Sequence, residues 1–299
     1  MNKMTGAEIR ADWEEKRKLF PHLTPILHAT MWLGLPYRVY AARLETDKHD
    51  LTNTGALFTQ FDLGDPWKLE GDWMVCGDVH VPFTHWDLAV NVAQVGRKAG
   101  IKKLLVAGDL FEFEHFSTYA QLVQTPTWAQ ERDATRELLS MWLKTFDEIK
   151  ILMGNHDRRL QKFTQGAFEE TDILALVTTN DKVRMSNFGH CEIVSGDVKW
   201  RITHPRNYSV NNLVVAETLA MKFQCNIISG HEHHLSLGVT RYGKYIAVNM
   251  GCLVDASKLS YVILDDSKAP DMIPGFTMLR GGAPYLFGEE PFTNWQEWL

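Results

Sequence analysis

The segment Trp73-Met74-Val75-Cys76-Gly77-Asp78-Val79-His80 decides how this chain is read. A four-residue apolar run, too short for a helix, stops at a glycine, and an acid and an imidazole follow it two positions apart. The same arrangement recurs downstream. Lys103 to Ala107 runs into Gly108-Asp109, Lys150 to Met153 into Gly154-Asn155-His156-Asp157, Trp200 to Thr203 into His204, and Asn226 to Ser229 into Gly230-His231-Glu232-His233. Tyr245 to Asn249 and Tyr261 to Leu264 are further strand candidates. Helical patterns fill the intervals. One opens at Thr84 and carries the stripe Leu88, Val92, Val95 and Ala99; a second has Thr127 and Gln130 as a capping box ahead of Leu138, Met141, Trp142 and Phe146; a third opens at Ser209 and runs through Val214, Val215 and Leu219. Strands alternating with helices predict an α/β fold, and the closer strand spacing after Cys191 predicts a second, more antiparallel sheet.

Open α/β sheets bind ligands beyond the carboxyl ends of their strands, so residues distant in sequence can converge there. Asp78, His80, Asp109, Asn155, His204, His231 and His233 are the candidates. If strand geometry persists, Asp78 and His80 point the same way, as do His231 and His233, because strand residues alternate faces. Two carboxylates, one amide and four imidazoles form a mixed nitrogen and oxygen donor set. It suits manganese, zinc, iron or nickel better than calcium or magnesium. Seven side chains are too many for one such ion and suffice for two if a carboxylate bridges. Arg158, Arg159 and Arg206 follow these motifs directly, and guanidinium forks match phosphate oxygens, so they are candidate substrate-binding residues.

Composition narrows the function classes. The 299 residues carry 31 Lys+Arg against 37 Asp+Glu, and a net charge of −6 excludes a protein that coats nucleic acid through bulk positive charge. A local basic patch remains compatible with it. Twelve histidines against four cysteines tilt the composition toward imidazole chemistry. The cysteines form no C-x-x-C pair and read as reduced thiols; a charged N-terminal segment and the lack of a long apolar run predict a cytoplasmic protein without a membrane anchor. Before residue 50 the texture differs: Gly6 to Lys18, Thr24 to Leu33 and Pro36 to Leu44 are three short helical patterns. The expected layout is a helical appendage over 1–50, a connector over 51–72 and the main domain over 73–299. Leu33-Gly34-Leu35-Pro36, followed by Val39 and Leu44, resembles weakly the turn and second helix of helix-turn-helix domains, which keeps a DNA-binding protein or nuclease as a reading of another class.

Taken in order, D-x-H, G-D, G-N-H-D, a lone His and G-H-x-H resemble the calcineurin-like metallophosphoesterase superfamily over residues 73 to 253. Ala247-Val248-Asn249-Met250-Gly251-Cys252 looks like the strand and turn that follow G-H-x-H in that family, and the layout is similar to phosphoesterases encoded by phages. The resemblance implies a four-layer αββα sandwich and two divalent ions, manganese first among them. One ion would take Asp78, His80, Asp109 and His233, the other Asp109, Asn155, His204 and His231, with Asp109 bridging. It further implies hydrolysis of phosphoric esters by a metal-bridging hydroxide, with His156 contacting the phosphate and protonating the departing oxygen. Asp157 would support the loop or orient a histidine. Arg159 matches a phosphate-binding arginine of the protein-phosphatase branch, whose motif reads G-N-H-E-S-R. That branch also carries G-D-x-x-D-R-G, and Gly108-Asp109-Leu110-Phe111-Glu112-Phe113-Glu114 lacks its arginine. The G-N-H-D form is closer to phosphodiesterases and repair nucleases, so a phosphodiester substrate, nucleic acid included, is expected ahead of a phosphomonoester on nucleotides or phosphoproteins.

Overall fold

Short β-prone runs ending at glycine become parallel strands, and the amphipathic stretches between them become the helices that cover the sheets. The computed structural model describes residues 5–20, 64–117, 125–259, 272–289 and 291–298, with Val262 and isolated positions between 23 and 44. It divides into two compact units, Met1–Gly64 and Asp65–Leu299. In the first, helix α1 (Gly6–Leu19) opens on a capping box in which Thr5 and Glu8 satisfy each other's backbone N–H. His28, fully buried in that unit, sits between Asp12 Oδ2 at 2.8 Å and the Tyr40 hydroxyl at 3.0 Å. Of the segment resembling a helix-turn-helix, only Leu33, Tyr40 and Leu44 are among the described residues.

The second unit has β1 (Lys68–Glu70), β2 (Trp73–Cys76), β3 (Lys103–Ala107), β4 (Glu148–Leu152), β5 (Val183–Ser186) and β6 (His190–Ser195). Then follow β7 (Val198–Thr203), β8 (Asn226–Ser229), β9 (Leu235–Val239), β10 (Ile246–Met250), β11 (Gly275–Arg280) and β12 (Ala283–Gly288). They form two six-stranded sheets, ordered β12-β11-β2-β3-β4-β5 and β1-β6-β7-β8-β10-β9. Residues 51–72, expected as a connector, thus contribute β1, which pairs in parallel with β6. The second sheet is not the more antiparallel one. Each sheet has three parallel and two antiparallel pairings, because β8 returns through a crossover helix to lie parallel to β7, and β10 lies parallel to β8 with β9 outside it. Tyr261 to Leu264 lies outside the described residues except Val262, which is helical.

Strand alternation builds the layers. Trp73 and Val75 of β2 join Leu105, Ala107 and Leu152 in a core shared with Cys191, Ile193, Trp200, Ile202, Ile228 and Val248 of the facing sheet. Met74 and Cys76 point the other way, into a core closed by α2 (Trp86–Ala99) and α3 (Trp128–Trp142) through Leu88, Val92, Leu138 and Trp142. Helix α6 (Val214–Phe223) covers the outer face of the second sheet with Val215, Ala216, Leu219 and Ala220. The architecture is therefore the expected αββα sandwich. Buried indoles keep their N–H groups satisfied: Trp142 donates to the Ala89 carbonyl at 2.9 Å and Trp200 to that of Gly282 at 3.1 Å. Trp295 and Trp298 dock on Phe276 and Phe287, which accounts for the aromatic C-terminus.

Helix entry differs from expectation in two places. His85 rather than Thr84 caps α2, accepting from the Leu88 N–H, because Thr84 spends its hydroxyl on the Val79 carbonyl. Ser209 does not cap α6; it closes a local turn onto the Asn211 N–H, and Leu213, with φ 67°, precedes the helix. Thr127 caps α3 with Gln130 as its sequence announces. The short helix α4 (Arg158–Phe163) follows β4 at once, so that Asn155, His156 and Asp157 form the turn between them, and a second short helix, α5 (Glu170–Ala175), precedes β5.

Candidate metal centre

The candidate ligands do converge, but at the common edge of two sheets rather than along one. β2, β3 and β4 lead into the turns that carry Asp78, Asp109 and Asn155; β7 and β8, in the facing sheet, lead into those that carry His204 and His231. Strand alternation is not what aims them, since the strands stop short of every one. Asp78, His80, Asp109, His231 and His233 instead hold φ between 49° and 78°, the left-handed region. Each such residue costs about 1 kcal/mol or more, so five together consume several kcal/mol of a domain stability that is typically about 5–15 kcal/mol. Such strain persists only where the surroundings over-determine it.

Backbone amides from neighbouring motifs supply that determination. Asp78 Oδ2 accepts from the His231 N–H at 2.9 Å, and Asp109 Oδ1 accepts from the His156 N–H at 2.8 Å. One oxygen of each carboxylate is thereby anchored and the other is turned toward the cluster. Glycines make room for the approach. A Cβ at Gly154 would lie 2.1 Å from Asp109 Oδ1, and one at Gly108, whose φ is 92°, would lie 2.4 Å from His204 Nδ1. Close approach decides Gly154, and close approach together with backbone conformation decides Gly108.

The free atoms face one another. His80 donates through Nδ1 to Glu112 Oε2 at 2.6 Å, leaving Nε2 buried without a hydrogen-bond partner and 3.9 Å from both Asp78 Oδ1 and Asp109 Oδ2. His233 Nε2 stands 3.2 Å from Asp78 Oδ1, which itself lacks a hydrogen-bond partner. His204 donates through Nδ1 to the Ala107 carbonyl at 3.0 Å, which directs the Nε2 lone pair of the neutral ring at Asn155 Oδ1, 3.0 Å away, and Asp109 Oδ2, 3.2 Å away. Lone pairs opposed in this way need a proton or a cation between them. Donors that share one ion at about 2.0–2.2 Å stand roughly 3–4 Å apart, the spacing seen here. Asp78, His80 and His233 form one such group, and Asp109, His204 and His231 a second.

Charge agrees with this. Burial alone would raise the Asp78 carboxyl, but the imidazoles of His233 and His204 outweigh it and hold it at about 2; Asp109 is likewise held well below the ordinary carboxylate range, against burial, by His204 and His156. Burial, assisted by His204, takes His231 down to about 4, and burial together with His156 lowers His80, so both rings are neutral and fit to ligate. His204 goes the other way. Burial opposes its protonation, yet Asp109 and Asp78 raise it to about 10 in the metal-free protein.

The calcineurin-like phosphoesterase family model matches residues 73–245. The chain belongs to that family. Solved structures similar to it include the Escherichia coli phosphoesterase YfcE, at 14% identity over 70% of this chain and 87% of that one, with a TM-score of 0.39. Chaetomium thermophilum Vps29 aligns at 15% identity over 73% and 92%, TM-score 0.40. Entamoeba histolytica Vps29 complexed with zinc aligns at 16% over 73% and 98%, TM-score 0.35. No curated protein matches the chain by sequence.

The remaining residues singled out in this phosphoesterase divide by location. His156 reaches the cluster edge, its ring 4.5 Å from that of His80 and its Nδ1 3.2 Å from Glu112 Oε2. Burial works against its charge, but Glu112 and Asp109 raise it to about 9. Asp157, expected beside the catalytic His156 to support the loop or orient a histidine, is fully buried and accepts three backbone N–H groups, from Asp109 at 2.9 Å, Phe111 at 3.0 Å and Gly154 at 2.8 Å. It clamps the turns after β3 and β4 together, and burial with the neighbouring Asp109 raises it to about 6. Arg159, expected at the substrate, is occupied: Nη1 lies 2.9 Å from Glu112 Oε1 and 3.0 Å from Glu114 Oε2, and Nη2 is 3.3 Å from His156 Nε2. Its guanidinium steadies Glu112, while its charge works against protonation of His156. Arg158 and Arg206 line a pocket of about 230 Å³ that also includes Asn155 and His204.

Glu112 is the residue that sequence reading passed over. Fully surrounded, it joins His80, His156 and Arg159, and those two imidazoles keep it ionised well below the usual range despite burial. The available signal was an acid enclosed by Leu110, Phe111 and Phe113, an apolar setting in which a carboxylate needs fixed partners.

Two outcomes are expected. Gly154→Ala should push Asp109 aside and weaken manganese binding at least tenfold by titration calorimetry while near-ultraviolet circular dichroism keeps its native form; unchanged affinity would contradict the close approach. Because His204 must give up its proton to ligate, manganese binding near pH 8 should release protons and tighten as pH rises toward 10. Calorimetry in buffers of different ionisation enthalpy reads this release directly, and a binding enthalpy independent of buffer would refute it.

Proposed function

We propose that the chain is a dinuclear-metal phosphodiesterase. The observation that carries this reading is the convergence of six donors in two groups, Asp78 with His80 and His233 and Asp109 with His204 and His231, and Asn155 Oδ1 3.0 Å from His204 Nε2, with Asp78 Oδ1 and His80 Nε2 buried and unsatisfied. Asp78, His80, Asp109 and His233 would hold one divalent cation, and Asp109, Asn155, His204 and His231 the other. Manganese fits the donor set best, with zinc, iron or nickel as rivals. Bound cations would supply charge stabilisation for the phosphoryl oxygens and acidify a water toward about pH 7.

The chain's own groups do the rest. His156 stands beside His80 with the charge of Glu112 favouring its protonated form, so that it can stabilise the phosphoryl group and protonate the departing oxygen. Arg159 in turn holds Glu112 in place. Asp157 holds Asp109 and the Asn155–His156 turn at fixed separation through backbone N–H groups. The pocket beside Asn155 and His204 supports a diester over a monoester, since it offers room for a second alcohol retained on phosphorus. Four free cysteines suit a reducing compartment, the cytoplasm, and no helix among the described residues is long and apolar enough to cross a membrane.

With manganese, bis(4-nitrophenyl) phosphate should be hydrolysed with a higher kcat/KM than 4-nitrophenyl phosphate. Asp109→Ala should abolish both activities, and His156→Ala should lower kcat by about 10²–10⁴-fold, the usual worth of a general acid, with metal content retained. Preference for the monoester would replace the diester reading with a phosphomonoesterase, and no hydrolysis of either ester with any of the four metals would remove the enzyme reading.

A further inference from the structure

The pocket next to Asn155 and His204 carries positive charge in a protein of negative net charge. Its lining includes Arg158, Arg206, His190 and His204 and contains no carboxylate, in a chain whose net charge is −6. The guanidiniums are not consumed by acids. Arg158 is half-buried, with Nη2 on the Asn187 carbonyl and Nη1 3.4 Å from Gln161 Oε1, both neutral acceptors. Arg206 is exposed and, among the described residues, makes no ion pair. The two cations sense each other: burial first, and then the charge of Arg206, make Arg158 easier to deprotonate than a free arginine. Two like charges facing one cavity are stabilised by an anion between them, and guanidinium forks select phosphate.

The position of the pocket says which phosphate. His156, the acid for the departing oxygen, stands on the His80 and Glu112 side of the cluster, whereas the pocket opens from Asn155 and His204. The leaving alcohol and the pocket are therefore on different flanks. What lies toward the pocket is the substituent that stays on phosphorus.

We propose that Arg158 and Arg206 form a second anion subsite, filled by a phosphate carried on the retained alcohol, so that the preferred substrates are phosphodiesters with a further phosphate one unit along, as in an oligonucleotide backbone. The assignment of flanks rests on the phosphodiesterase reading; the subsite itself is tested by binding alone.

The test is calorimetric binding of thymidine 3′,5′-bisphosphate, thymidine 5′-monophosphate and thymidine 3′-monophosphate to the full-length, manganese-loaded protein. The bisphosphate offers a second anion in either orientation. It should bind at least tenfold more tightly than either monophosphate, and Arg206→Met should cut that preference below threefold. Arg158→Met should do the same, with its melting temperature recorded to detect any loss of fold from the Asn187 contact. Equal affinity for bisphosphate and monophosphates in the unaltered protein would overturn the subsite. So would an equal loss for all three ligands in Arg206→Met, which would set that guanidinium on the metal-proximal phosphate instead. Failure of the phosphodiesterase reading shows elsewhere, as inert bis(4-nitrophenyl) phosphate.

Discussion

Asp78 and Asp109 are buried close together, and each spends one oxygen on a backbone amide from a distant motif. Two carboxylates removed from water repel each other and are costly unless positive charge is supplied. His204, raised by Asp109 and Asp78, supplies it within the cluster, and His233 Nε2 stands 3.2 Å from Asp78 Oδ1. Divalent cations would supply more, with the imidazoles turned from charge partners into ligands. Asp78 thus ties the two sheets together through the His231 N–H, Asp109 ties neighbouring strand ends through the His156 N–H, and the pair creates a demand for cations.

The sandwich exists to hold that demand in place. Between the sheets, Trp73, Trp200, Leu105 and Ile228 make a dry core, and the strands that flank it deliver their ends to one rim. Beyond the strands, backbone pairing continues: Val79 and His80 both donate to the Asp109 carbonyl, and Leu253 donates to Gly77 and Asp78. These contacts fix residues whose left-handed backbone an isolated loop would not keep. Asp157 adds the last constraint by gathering the amides of Asp109, Phe111 and Gly154 on one buried carboxylate.

Around the centre, charge is distributed by flank. Glu112, Glu114 and Arg159 surround His156 and keep an ionised network on the His80 side. The Asn155 side carries two guanidiniums and no acid. An arginine engaged by two carboxylates and one engaged only by neutral acceptors differ in what they have left for a ligand. This is why Arg159 steadies a neighbour whereas Arg158 faces a cavity.

Apolar runs stopped by glycine were enough to locate β2, β3 and β8 residue for residue, and Thr127 with Gln130 announced α3, because short-range sterics and capping are local properties. The order of the polar motifs likewise named the residues that meet at the rim. Sequence alone could not assign the five strand ends to two sheets, nor foresee that β8 and β10 pair in parallel, since pairing depends on non-local packing. It aimed Asp78 and His80 by strand alternation, where left-handed backbone held by neighbouring loops does the aiming. It also could not separate Arg158 from Arg159, or give Glu112 its partners, because adjacent residues with the same chemistry acquire different roles only from what surrounds them. Residue type and order determined the donors and the strands; only the tertiary structure decided which lone pairs were left free, because that depends on backbone amides contributed by motifs distant in sequence.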